Sequence, residues 1–160
     1  MTPERLSEFI MLSSFEEVRQ FVASTVSEDK ELEDLFQSAF GFTDMDFRCY
    51  GLLSYLNCQQ ENVVWHRLSF RLLTVFLNYV KGAEAMALIH LRRLIEMEGH
   101  TLWNLSGLIW LSGIPDKIVS REEGKWAAYE ILKVEPNDSE ARYFLSAYCG
   151  ETYLWDSEDA

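Results

Sequence analysis

The sequence predicts an all-α chain: a single domain of eight or nine packed antiparallel helices, arranged as hairpins or in repeat-like stacking. Three observations carry this. Only 8 glycines and 3 prolines occur in 160 residues, so long stretches have no breaker, whereas sheets need frequent turns. Apolar residues make up 48% of the chain and return at helical spacing along nearly every segment, with no convincing period-2 run. An aromatic share of 14% gives enough to bury for a core and is inconsistent with disorder. The domain is read as 1–150, followed by an acidic C-terminal tail, 151–160.

The elements follow in order. Thr2 can cap a short helix over 3–12, with Pro3 at its first position and Leu6, Phe9 and Ile10 on one face. Ser14 and Glu17 have capping-box spacing before Phe15, Val18, Phe21 and Val22. Ser27 opens a third helix whose first turn holds Glu28, Asp29 and Glu31, where the helix dipole favours anions. Its buried face is Leu32, Leu35, Phe36, Ala39 and Phe40, and Gly41 stops it. Thr43 begins a helix to about Cys58, in which Gly51 marks a close crossing. A helix over 63–81 reads as buried nearly all round, with Arg67, Arg71, Thr74, Asn78 and Lys81 as one narrow polar stripe. Further helices cover 83–97, 101–112, 120–134 and 137–149, separated by Gly99, by Gly113 and Pro115, and by Pro136-Asn137-Asp138.

Charge is segregated. Residues 1–61 sum to −8, residues 62–115 to +2 and residues 116–160 to −6, giving the net −12. Two acidic ends flank an apolar, slightly basic centre. That balance argues against nucleic acid and for a basic protein partner. Cys49, Cys58 and Cys149 are odd in number and widely spaced, which points to a reducing, cytoplasmic setting. Met1 to Arg5 lead into no continuous apolar core and no small-residue cleavage site, so no secretory leader is expected. His66, Arg67, Arg71 and Asn78 interrupt the apolar run 63–80, which is read as a core helix and not a membrane span.

Catalytic and metal signatures are weak. His66, His90 and His100 lie far apart in sequence, no Cys-x-x-Cys is present, and no metal or cofactor is expected. His66, beside Trp65, reads as a core or boundary histidine, and His100 as exposed. Cys49 and Cys58 read as small hydrophobes near the core. Asp44 with Asp46, and Glu96 with Glu98, stand at i, i+2 and do not face each other on a helix, so capping and solvation explain them better than acid–base work. The Arg67–Arg71 stripe could bind an anion, but ion pairing with the acidic N-terminal helices is favoured.

Residues 103–148 resemble a tetratricopeptide repeat. Trp103-Asn104-Leu105-Ser106-Gly107-Leu108-Ile109-Trp110 is similar to the first helix of such a unit. Ala127, Ala128, Ile131 and Leu132 are similar to the second, and Pro136-Asn137-Asp138 with Ala141 and Leu145 to the start of the next. Gly124 stands where that pattern prefers alanine, and the turn over 113–123 is longer than the family's. The resemblance implies stacked antiparallel helix pairs and a protein-binding role.

The chain is therefore expected to be no enzyme but an acidic protein-binding protein. An inhibitor of a basic, nuclease-type toxin, in the manner of immunity proteins, is the first expectation. A peptide-holding adaptor or secretion chaperone is the second, and an enzyme using Arg67, Arg71 and a nearby His or Glu on a small anion the third. Candidate contact residues, chosen by charge density, are Glu28, Asp29, Glu31, Glu33, Asp34, Asp44, Asp46, Asp116, Glu122 and Glu123, with Tyr153 and Trp155 as aromatic anchors.

Overall fold

Side-chain caps and apolar spacing set most helix boundaries in the computed structural model, which describes residues 1–24, 28–44 and 46–150. Nine α-helices, one π turn and no strand occur among these residues. They are α1 (Pro3–Met11), α2 (Phe15–Ser24), α3 (Asp29–Gly41), α4 (Phe47–Gln59), α5 (Val63–Arg71), α6 (Ala83–Glu98), α7 (Leu102–Gly113), α8 (Arg121–Val134) and α9 (Ser139–Cys149). Among the described residues no helix is long and apolar enough to cross a membrane.

Thr2, Asp46, Asn62, Thr101, Ser120 and Asp138 each accept a hydrogen bond from a first-turn amide of the following helix. Each satisfies a donor that the helix start leaves open, typically worth about 1 kcal/mol. Thr43 does not open α4. Its hydroxyl is buried, donating to the Phe40 carbonyl and lying 3.0 Å from Cys49 Sγ. Ser27, expected to open α3, lies outside the described residues, and Glu28 takes the cap position without a side-chain bond.

The chain divides into two compact units, Met1–Met97 and Glu98–Ala160. In the first, α1 packs on α2, α3 and α4, and α5 packs on α3 and α4. Leu6, Ile10, Phe36, Leu52, Leu53 and Leu68 are fully buried there. Phe36 links α3 to α5, its ring 5.0 Å from that of Trp65. Gly51 faces the Phe15 ring of α2, but a Cβ there would make ordinary contact, so the approach does not require glycine.

The helix expected over 63–81 is shorter than its apolar run. After Arg71 the backbone widens into a π-helical turn, Leu72–Phe76, closed by the Leu77 amide on the Leu72 carbonyl at 2.9 Å. Thr74 donates its hydroxyl to the Phe70 carbonyl, the acceptor that a regular turn leaves for the amide of residue 74. The helix ends there, and Val75, Phe76 and Tyr79 stand exposed instead of buried.

In the second unit α8 packs on both α7 and α9, which also meet each other. Gly124 makes this possible. A Cβ at that position would lie 2.5 Å from Ser112 Oγ on α7 and 2.8 Å from the Phe144 ring on α9. The Gly124 departure from the repeat pattern thus has a steric reason. The loop before α8 is held by Val119, which is buried, and by Ser112 donating to the Ser120 carbonyl at 3.0 Å.

Two glycine substitutions should therefore move stability in opposite directions. Gly124→Ala forces a methyl between three helices and should cost about 1–3 kcal/mol, outweighing a helix-propensity gain of up to ~1 kcal/mol. Gly41→Ala, with nothing near its Cβ and no positive φ, should gain about 0.4–1 kcal/mol. Urea unfolding of the two variants checks both signs.

Candidate functional site

The acidic residues singled out by charge density fall into two groups. Glu28, Asp29, Glu31 and Asp34 lie exposed at the start of α3, and Asp44, Asp116 and Glu122 are exposed elsewhere; none of these seven has a cation partner among the described residues. Glu33 and Asp46 are engaged. Glu33 accepts from Arg67 at 3.3 Å, tying α3 to α5. Asp46 caps α4 and holds the Arg48 guanidinium at 2.8 Å, and these bonds lower its carboxyl to about 2. Glu123 is half-buried in the first turn of α8. Tyr153 and Trp155 lie outside the described residues.

The Arg67–Arg71 stripe divides in the same way. Arg67 pairs with α3, as the charge segregation suggested, while Arg71 is exposed at the rim of a hollow formed by Gln37, Phe40, Leu68, Leu72 and Phe76. Cys49 is buried, and desolvation pushes its thiol up to about 11, so it stays a neutral thiol. Cys58, expected near the core, is exposed at the last turn of α4.

The cluster that sequence reading did not assemble is built on two histidines. His66 on α5 and His90 on α6 are 5% and 7% exposed, and their Nδ1 atoms lie 2.8 Å apart. On the far side of His90, Nε2 meets the Tyr50 hydroxyl of α4 at 3.1 Å, with the rings edge-to-face. On the far side of His66, Nε2 meets Glu61 Oε1 at 3.0 Å. Arg93 then grips Glu61 with two bonds, of 2.6 and 2.7 Å, and also reaches Glu96. Five side chains from three helices and one junction form a continuous chain.

Hydrogen-bond logic gives this chain a direction. A carboxylate only accepts, so His66 Nε2–H donates to Glu61. A neutral His66 then accepts at Nδ1, which requires His90 Nδ1–H to donate. His90 Nε2 is left to accept from the Tyr50 hydroxyl. Every group is satisfied with both rings neutral, which is what burial demands. Arg93, then His66, hold the Glu61 carboxyl at about 2. Desolvation, with His66 adding to it, pushes His90 down to about 4. Spacing rules within one helix do not find this set, because its members are separated by 40, 24, 5 and 32 positions.

A second feature lies within the Glu98–Ala160 unit. Ile109, Trp110 and Ile114 line a hollow of about 220 Å³ with Tyr143, Phe144 and Tyr148 of α9. Tyr148 stacks on Phe144 at 5.4 Å and meets Tyr143 edge-on at 6.2 Å. Tyr143 is 62% exposed. Glu140 also lines the hollow; desolvation first, then the nearby Asp138, raises its carboxyl above the ordinary range. Among the described residues no group of three or more His, Cys, Asp or Glu side chains is placed to hold a metal ion.

No family model, no curated protein and no solved structure matches this chain.

The histidine chain makes stability depend on pH with a definite sign. The folded state holds His90 below its ordinary 6.5, so between 6.5 and about 4 the unfolded chain takes up a proton that the folded chain refuses. The stabilisation is complete above 6.5 and is lost as pH falls toward 4, a swing of roughly 3 kcal/mol. Glu61 and Asp46 lose theirs only below their ordinary values of 4.5 and 3.8, and Glu140, whose carboxyl is raised, opposes the decline instead of adding to it. Urea unfolding from about pH 7 to about pH 5 should show the decline, and His90→Gln should flatten it.

Proposed function

We propose that this chain is a non-enzymatic binder of a basic protein. The observation that supports it most is the group of exposed carboxylates at the start of α3, Glu28, Asp29, Glu31 and Asp34, which have no cation partner among the described residues. Other acids are engaged by cations: Glu8 by Arg5, Glu16 by Arg19 and Glu130 by Lys133 within their own helices, and Glu33 by Arg67 across to α5. With 26 acids against 14 Lys and Arg, an excess of carboxylates cannot be paired within the chain. Concentrated acid on one helix end speeds encounter with a cationic surface. Inhibition of a basic, nuclease-type toxin is the most concrete instance, since acid laid across such an active site stands in for nucleic acid.

The aromatic hollow between α7 and α9 supports a second reading, a tetratricopeptide-like adaptor or chaperone that holds a peptide segment. Tyr143 and Tyr148 are exposed aromatics of the kind that anchor interfaces.

One experiment separates the two readings. A partner captured from source-cell lysate at about 50 mM salt is tested again at about 500 mM, a range over which exposed charges go from felt to screened. For the acid-face reading, Asp29→Lys, Glu31→Lys and Asp34→Lys together should slow association about tenfold or more at low salt and change little at high salt. An association rate indifferent to both salt and charge reversal contradicts it. Loss of binding in Tyr143→Ala alone would favour the adaptor.

A further inference from the structure

His66 and His90 face each other through Nδ1 atoms 2.8 Å apart, and that gap holds one proton. Counting protons along the chain gives three states. With both rings neutral, Tyr50 donates to His90, His90 to His66, and His66 to Glu61. One added proton can be accommodated. His66 then carries hydrogen on both nitrogens, facing Glu61 on one side and donating to His90 Nδ1 on the other. His90 responds by moving its own hydrogen to Nε2, which donates to the Tyr50 oxygen. Every bond survives with its direction reversed between Tyr50 and His66. A second added proton cannot be accommodated. Both Nδ1 atoms would carry hydrogen, and a 2.8 Å contact between two N–H groups of two cations is repulsive.

The charged neighbours do not relieve this. Tyr50 faces His90 from α4, and its hydroxyl can accept but not neutralise. Glu61, from the α4–α5 junction, already faces His66 and Arg93. From α6 itself, Arg93 is a cation and Glu96 is held by it. A second imidazolium thus meets no unengaged anion among these groups. The ring centroids lie 5.1 Å apart, and both residues are buried, so solvent screens the repulsion little.

We propose that the histidine pair is an acid-released latch: α6 stays docked while one proton lies between the two Nδ1 atoms, and leaves α4 and α5 when both rings are charged. Besides His90, the buried residues of α6 are Ala83, Ala87, Leu91 and Leu94. The latch acts within the Met1–Met97 unit and does not depend on which partner the chain binds.

Hydrogen exchange of the full chain, corrected for the intrinsic rate at each pH, tests it. Amides of α6 (Ala83–Glu98) should lose about tenfold or more of their protection between pH 6.5 and about 4, ahead of amides in α8 (Arg121–Val134). In His90→Gln, which can bond to both neighbours but cannot be charged, α6 protection should stay level with that of α8. His66→Gln gives the same readout if the first variant does not fold. Loss of protection in α6 and α8 together in the unmodified chain would overturn the latch. So would an undiminished acid response of α6 in a folded Gln variant.

Discussion

One proton shared by two buried imidazole rings ties three helices of the Met1–Met97 unit together. Interior polar groups must find partners, and here each partner sits on a different element: Tyr50 on α4, His66 on α5 and His90 on α6. The remaining polar arrangement follows. His66 needs an acceptor at its outer nitrogen, which Glu61 supplies, and Arg93 fixes Glu61 by a two-pronged grip. The α5–α6 spacing is thereby set to within a hydrogen bond, a tighter constraint than apolar packing alone imposes. Such a constraint has a consequence that leucine contacts lack: its strength changes with proton count.

Local features were legible in the sequence because local physics makes them. Thr2 with Pro3 reads as a helix start, and Thr2 caps α1; the breaks before α8 and α9 are also legible, while their caps, Ser120 and Asp138, come from the structure. The i, i+3, i+4 recurrence of Leu32, Phe36, Ala39 and Phe40 read correctly as a buried face. Periodicity failed at residues 72–81. An apolar run signals burial but does not reveal that Thr74 will bond back to Phe70 and widen the turn. Val75, Phe76 and Tyr79 were consequently read as core and are surface. The histidine chain was illegible for a related reason. His66 was recognisable as a core histidine, but nothing along α5 shows that His90 of α6 will face it.

Charge shows the same limit. Counting acids locates an excess, yet carboxylates of one segment have different fates. On α3, Glu33 turns inward to Arg67, while Glu31 and Asp34, two and one positions away, remain in solvent. Near α4, Asp46 caps and clamps Arg48 while Asp44 stands free of any cation partner among the described residues. A surface available for a cationic partner is what remains after these internal pairings, and it is smaller than the composition suggests. Gly124 carries a parallel lesson in packing: a departure from a repeat pattern, neutral on the page, is the close approach on which α7, α8 and α9 converge.

The central claim is that the buried chain runs in one direction, from Tyr50 to Glu61. The most direct test is long-range proton–nitrogen NMR of the imidazole rings at neutral pH. The account predicts His66 protonated at Nε2 and His90 at Nδ1, with both rings neutral. His90 protonated at Nε2 alone, or either ring carrying both protons under those conditions, would contradict it.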